Sequence, residues 1–120
     1  AADPGTAAWM RRIAPDPVLL FRYSALTANG HRIHYDHPYV TGVEGYPGLV
    51  FPGPLAATLL MALAETGLGK PLIRFEFRNK APLFADAPFA IAGNPAGDGR
   101  AALWAATPAG GLATEAVAVA

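Results

Sequence analysis

Residues 53–67, Gly-Pro-Leu-Ala-Ala-Thr-Leu-Leu-Met-Ala-Leu-Ala-Glu-Thr-Gly, and the alternating sequence after them decide the fold. From Leu55 to about Thr66 apolar side chains cover nearly the whole circumference of a helix, and Gly67 stands at the C-terminal cap position. A helix without a polar face has to be surrounded by other elements, not laid on a surface. Leu72 to Lys80 then alternates, with Ile73, Phe75 and Phe77 on one side and Arg74, Glu76 and Arg78 on the other. That is the period of a strand with one covered face. Ala87 to Ala92, Arg100 to Ala106 and Leu112 to Val119 read as further strands. The spacers between them, Asn-Pro-Ala-Gly-Asp-Gly and Thr-Pro-Ala-Gly-Gly, are hairpin turns.

A fully buried helix followed by an antiparallel meander that can curl round it predicts an α+β fold. The sheet wraps a long central helix, the arrangement known as the hotdog. Upstream, Ala8 to Ile13 reads as an edge strand, and Asp16-Pro17 as a helix start with an aspartate cap and proline at the first helical position. That helix runs from Pro17 to about Leu26, with Leu20, Tyr23 and Leu26 roughly on one face. Asn29-Gly30 turns the chain, so the histidines that follow fall in a loop or a short extended piece. Pro38, Pro47 and the glycines at 42, 45 and 48 predict irregular structure over residues 37–48. Residues 1–7 read as a linker and residues 8–120 as one domain.

Composition narrows the function classes. A chain of 120 residues supports a single core. Nine basic and nine acidic residues balance to zero net charge, without the basic stripe that binds nucleic acid. The longest strongly apolar run, Leu55 to Ala64, is about half of the ~20 residues needed to span a membrane. No cysteine is present, which removes disulfides and thiolate chemistry. These features fit a soluble cytosolic protein.

The polar chemistry is concentrated between Ser24 and Pro54. All three histidines lie there (His31, His34, His37), with Asn29, Arg32, Asp36 and Glu44, just ahead of the apolar helix. Delivering such groups to the start of a buried helix is one way to present a base and an oxyanion site together. The spacing of three between the histidines also raises a metal site. Only Asp36 is a nearby carboxylate, the segment follows a turn, and Pro38 interrupts it, so no metal ligands are assigned.

The chain resembles the MaoC-like dehydratases and (R)-specific enoyl-CoA hydratases. Within them it is most similar to the branch of mesaconyl-C4-CoA hydratases and mitochondrial 3-hydroxyacyl-thioester dehydratases. The likeness runs from Phe21-Arg22-Tyr23-Ser24-Ala25-Leu26-Thr27 through Asn79-Lys80-Ala81-Pro82-Leu83-Phe84. It is most specific at His31-Arg32-Ile33-His34-Tyr35-Asp36 and Glu44-Gly45-Tyr46-Pro47-Gly48-Leu49-Val50. The resemblance implies a hotdog fold, a coenzyme A or acyl carrier protein thioester as substrate, no cofactor, and a homodimer or a pairing with a second hotdog domain. Branch members often carry another hotdog domain ahead of this one, so the chain is expected to be the C-terminal half of a longer protein.

The wider family's pattern Gly-Asp-x-Asn-Pro-x-His maps onto this sequence with Asn29 at the aspartate and His34 at the histidine. His34 thereby carries over as the catalytic histidine; the aspartate does not, since asparagine stands there. His31 occupies the asparagine position and Arg32 the proline position. Gly53 matches the glycine whose N–H polarises the thioester carbonyl, with Pro52 where a histidine often precedes it. The implied reaction is reversible hydration of an enoyl thioester. An imidazole can take a proton from water and return one to the α-carbon. The Asn29 amide cannot be a base but can hold the water or fix the imidazole.

Arg32 and His31 are expected on the substrate side, Arg32 with its fork on the carboxylate of a dicarboxylic acyl group. An internal ion pair of Arg32 with Asp36 or Glu44 explains that residue equally well. Arg78 and Lys80 are candidates for coenzyme A phosphates, against the plainer reading of a solvated strand face. Two rivals remain at this level. One is a non-catalytic hotdog subunit, which the missing aspartate favours. The other is a hotdog thioesterase, disfavoured because the helix offers only Glu65, at its far end.

Overall fold

The computed structural model describes residues 6–120, so most of the expected linker lies outside the described residues. Five strands form one antiparallel sheet: β1 (Trp9–Ile13), β2 (Arg74–Asn79), β3 (Phe89–Gly97), β4 (Arg100–Ala106) and β5 (Leu112–Val119). Their order across the sheet is β1-β3-β4-β5-β2. Three helices, α1 (Pro17–Leu26), α2 (His37–Gly42) and α3 (Gly53–Leu68), complete the fold. The sheet packs on α3 through β3, β4 and β5, the hotdog arrangement. Leu60 and Leu63 of α3 meet Ile91, Leu103, Ala105 and Ala116 in the core.

The local signals mostly translate directly. Asp16 caps α1, its Oδ1 accepting the Val18 N–H at 2.8 Å ahead of the proline-bearing first turn. The β4–β5 hairpin closes on Thr107–Gly111, where the Thr107 N–H donates to the Gly111 carbonyl at 2.8 Å. The β3–β4 turn is tighter than the spacer implies. Strand β3 runs on through Pro95 with a register irregularity, and only Gly97, Asp98 and Gly99 turn, all with positive φ. Pro95 is still in register with Ala101 and the irregularity falls directly after it, next to a bulge, where a strand admits proline.

Several expectations need correction. Residues 37–42 are helical, not irregular: Asp36 caps α2 by accepting the Tyr39 N–H at 3.1 Å, and Pro38 sits in the first turn, where proline is compatible with a helix. Leu26 does not share the buried face of Leu20; it is 86% exposed. Helix α3 continues past Gly67 and ends at Gly69, whose φ of 72° and N–H bond to the Glu65 carbonyl form the cap. Nor is α3 enclosed all round, since Pro54, Thr58, Ala62 and Glu65 form an open face. The apolar side of β2, the last strand of the sheet, is only partly covered: Phe75 packs against the core, while Ile73 is 80% and Phe77 45% exposed.

Candidate active site

The segment Leu49–Phe51 ties three parts of the chain together at the N-terminal end of α3. Its Val50 N–H donates to the Ile33 carbonyl, and its Phe51 N–H to the Leu83 carbonyl, both at 2.8 Å. The Leu49 carbonyl accepts from the Ala85 N–H at 2.8 Å. The Val50 carbonyl lies 2.7 Å from Nδ1 of His34. The imidazole is therefore held by main chain that runs, three residues on, into the first turn of α3.

That bond fixes the ring's chemistry. A carbonyl only accepts, so Nδ1 carries the hydrogen, and in the neutral ring the lone pair is on Nε2. His34 ends a single 3-10 turn, Arg32–His34, and is half-buried. The His31 ring meets it edge-on, centroids 5.7 Å apart. His37 sits at the start of α2 instead. Among the described residues no three His, Asp or Glu side chains are placed to hold a metal ion.

Gly53 is the first residue of α3, and Pro52 before it supplies no side-chain cap. The N–H groups of this turn lack intrahelical partners, and the helix dipole adds partial positive charge. A cleft of about 320 Å³ opens here, lined among others by Val50, Gly53, Asn79, Lys80 and Thr114. A methyl on Gly53 would come 2.5 Å from the Asn79 Nδ2, so only glycine leaves that amide in place. Asn79 Oδ1 accepts from Thr114 Oγ1 at 3.1 Å.

The structure brings some of the expected residues together and separates others. Val50 touches both sides, bonding His34 and lining the Gly53 cleft, though His34 itself is not in the cleft wall. Lys80 lines the cleft, and its Nζ lies 3.3 Å from Glu115. Arg78 pairs in register with Glu115 on the opposite face of the sheet, beside a shallow groove that Glu76 and Val117 share. Asn29 belongs to another hollow, of about 300 Å³, with Phe21, Ser24 and Tyr35. Its Oδ1 accepts the His31 N–H at 3.0 Å, closing the turn ahead of the histidines.

Arg32 makes the internal pair. Its Nε and Nη2 donate to Asp36 Oδ2 at 3.0 and 2.9 Å, and its guanidinium lies 4.0 Å from the Tyr39 ring centroid. The Tyr39 N–H, and then Arg32, hold the Asp36 carboxyl below its ordinary value of 3.8. Tyr39 donates its hydroxyl hydrogen to Glu44 at 2.9 Å, which keeps the phenol protonated to higher pH than usual. Sequence reasoning gave no role to Val50, Asn79 or Thr114. The Asn79–Thr114 bond joins residues 35 apart, which no local pattern announces.

Comparison with known proteins places the chain in a family. The profile of the hydroxyacyl-thioester dehydratase type 2 family matches residues 1–85. The chain belongs to that family. It is 58% identical over 88 residues to the mesaconyl-C4-CoA hydratase of Chloroflexus aurantiacus, covering 73% of this chain and 31% of that protein. It is 42% identical over 80 residues to the mitochondrial hydroxyacyl-thioester dehydratase type 2 of Schizosaccharomyces pombe, covering 64% and 27%. The chain thus spans about three tenths of the length of these relatives. Among solved structures, the (R)-hydratase of A. caviae involved in PHA biosynthesis superposes with a TM-score of 0.76 at 16% identity, covering 93% of this chain and 92% of that one. The last three strands fall beyond the family match, and there the structural likeness carries the fold. Among the described residues no helix is long and apolar enough to cross a membrane.

Proposed function

We propose that this chain catalyses the reversible addition of water to a 2-enoyl thioester, giving a 3-hydroxyacyl thioester. The acyl group is short or dicarboxylic, and the carrier is coenzyme A or an acyl carrier protein. The observation that carries the reading is the 2.7 Å bond from His34 to the Val50 carbonyl, beside the uncapped start of α3 at Gly53. Family membership and the hydratase and dehydratase relatives support it.

In the forward direction the thioester carbonyl accepts from the Gly53 N–H. Water adds at C3 while Nε2 of His34 takes its proton, and negative charge moves to the carbonyl oxygen. The proton then passes to C2 and the ring returns to neutrality, so the reaction needs neither oxidant nor cofactor. Asn29 keeps the histidine segment in place through the His31 N–H, and because it lines a separate hollow its part is to position the imidazole. Lys80 beside the cleft suits a carrier phosphate. Arg32 retains Nη1 for a distal carboxylate, with His31 next to it, while Arg78 on the far face would serve only a carrier that wraps the sheet edge. A second hotdog unit, as a homodimer or another domain, belongs to the same reading, because edge strand β2 leaves Ile73 and Phe77 exposed.

The test is His34→Ala, followed by the loss of enoyl absorbance with crotonyl-CoA or mesaconyl-CoA. Removing a general acid–base is expected to lower turnover by at least about 100-fold. Activity within about tenfold of wild type defeats the assignment. A non-catalytic, thioester-binding subunit is the second reading, favoured by an asparagine at position 29 whose oxygen is already used on the backbone. It predicts binding of the same thioesters without turnover by the wild-type protein.

A further inference from the structure

Of the groups around the cleft, Asn79 is itself exposed to solvent, yet its amide oxygen has a fixed partner and the residue has had no role so far. It ends β2 directly opposite Thr114 of β5, and Thr114 is almost fully buried at 2% exposure. The Thr114 hydroxyl donates to Asn79 Oδ1, which turns the Nδ2 end of the amide toward Gly53. Among the described residues no acceptor takes the Nδ2 hydrogens, and Asn79, Thr114 and Gly53 all line the one cleft.

We propose that Asn79 is a second oxyanion donor: its Nδ2–H and the Gly53 N–H donate together to the thioester oxygen as it gains negative charge, with Thr114 as the positioning residue that sets the amide. The inference rests on the hydration reading above and names a further residue in that site. Two donors from different elements, one main chain and one side chain, hold an oxygen in place more tightly than one can. The Thr114 bond orients the amide before substrate arrives, so the donor already faces the cleft as charge develops. The absence of a side chain on Gly53 is then explained by the amide it has to admit.

The variants are Asn79→Ala, Asn79→Asp, Thr114→Val and Thr114→Ser, made in the full-length protein and assayed with crotonyl-CoA. Asn79→Ala is expected to lower kcat about 100-fold with KM altered less than about threefold, the mark of a bond made chiefly in the transition state. Asn79→Asp separates this role from a structural one. A carboxylate beside a helix N-terminus favours the fold, yet it supplies no donor and repels the developing charge. The thermal midpoint should therefore hold while activity falls at least as far as in Asn79→Ala. The infrared carbonyl stretch of bound thioester should move back toward its solution position in both variants. Thr114→Val should cost about tenfold in kcat, and Thr114→Ser should restore most of it.

Wild-type protein that does not hydrate crotonyl-CoA or mesaconyl-CoA overturns the functional reading and this inference together. Wild-type turnover with Asn79→Asp within about threefold, or with an unmoved carbonyl stretch, overturns the inference alone.

Discussion

The two ends of α3 use the same device for opposite purposes. At each, a glycine lets another group approach the helix more closely than any side chain would allow. At Gly53 that group is the amide of Asn79, the turn is uncapped, and a cleft remains. At Gly67 it is the ring of Trp9 from edge strand β1, where a methyl would fall 2.3 Å from the nearest ring carbon. Two residues on, Gly69 caps the helix and closes that end. One glycine admits a polar group beside a cleft and the other an aromatic ring at a helix end that is itself exposed, so close packing of a glycine does not by itself mark a functional site. What separates the ends is whether the neighbour carries a hydrogen-bonding group and whether space is left beside it.

Adding one methyl at each end should break the symmetry. Gly53→Ala pushes Asn79 out of line with the Gly53 N–H, and the expected result is a loss of about 100-fold in kcat. Stability should change little, since alanine is the better helix former and the displaced amide can move into the cleft. Gly67→Ala should do the reverse. The Trp9 ring is pinned by strand pairing and by Gly93, so overpacking is expected to outweigh the gain in helix propensity and leave a net loss of about 1–2 kcal/mol. Turnover at a temperature where both proteins are folded should match wild type. Steady-state hydration assays and chemical denaturation on the two variants check both; equal effects on either quantity would mean the ends are not specialised.

The same contrast explains what the sequence could reveal. Helix α3, β4, β5 and the Thr107–Gly111 turn were legible because periodicity and turn chemistry are local. The exposure of Ile73 and Phe77 was not, because alternation says which side of β2 is apolar but not that β2 is the last strand of its sheet. Pro38 read as a breaker because its meaning depends on Asp36 capping the turn before it. Gly67 drew the helix end to itself although Gly69 has the capping conformation, since its actual reason, Trp9, is 58 positions away. The roles proposed for His34 and Gly53 come from the family's pattern. Asn79 carries no local signal, because its partners become neighbours only when β2 and β5 pair and the start of α3 packs beside them.

One further difference between the ends is electrostatic, and pH should expose it. The N-terminal end is reached through the segment 31–36, whose Arg32–Asp36 pair and Asp36 cap hold the turn bearing His34. The Gly67 end has a ring and a main-chain cap and, among the described residues, no such pair. Asp36 is held below 3.8 in the folded protein, first by the Tyr39 N–H and then by Arg32. A group with a depressed folded value stabilises the fold above its unfolded value, and that contribution disappears as pH falls through the folded one. Asp36→Asn keeps an oxygen for the cap and removes the charge, so its melting point should lie slightly below wild type at neutral pH. The gap should close as pH drops below the ordinary aspartate value. Because the pair is exposed, this is the smallest of the expected effects and should shrink in high salt. Thermal melts of both proteins along a pH series at two salt concentrations measure it. A gap that persists into strong acid would show that Asp36 acts through its shape alone, leaving the two ends of α3 electrostatically alike.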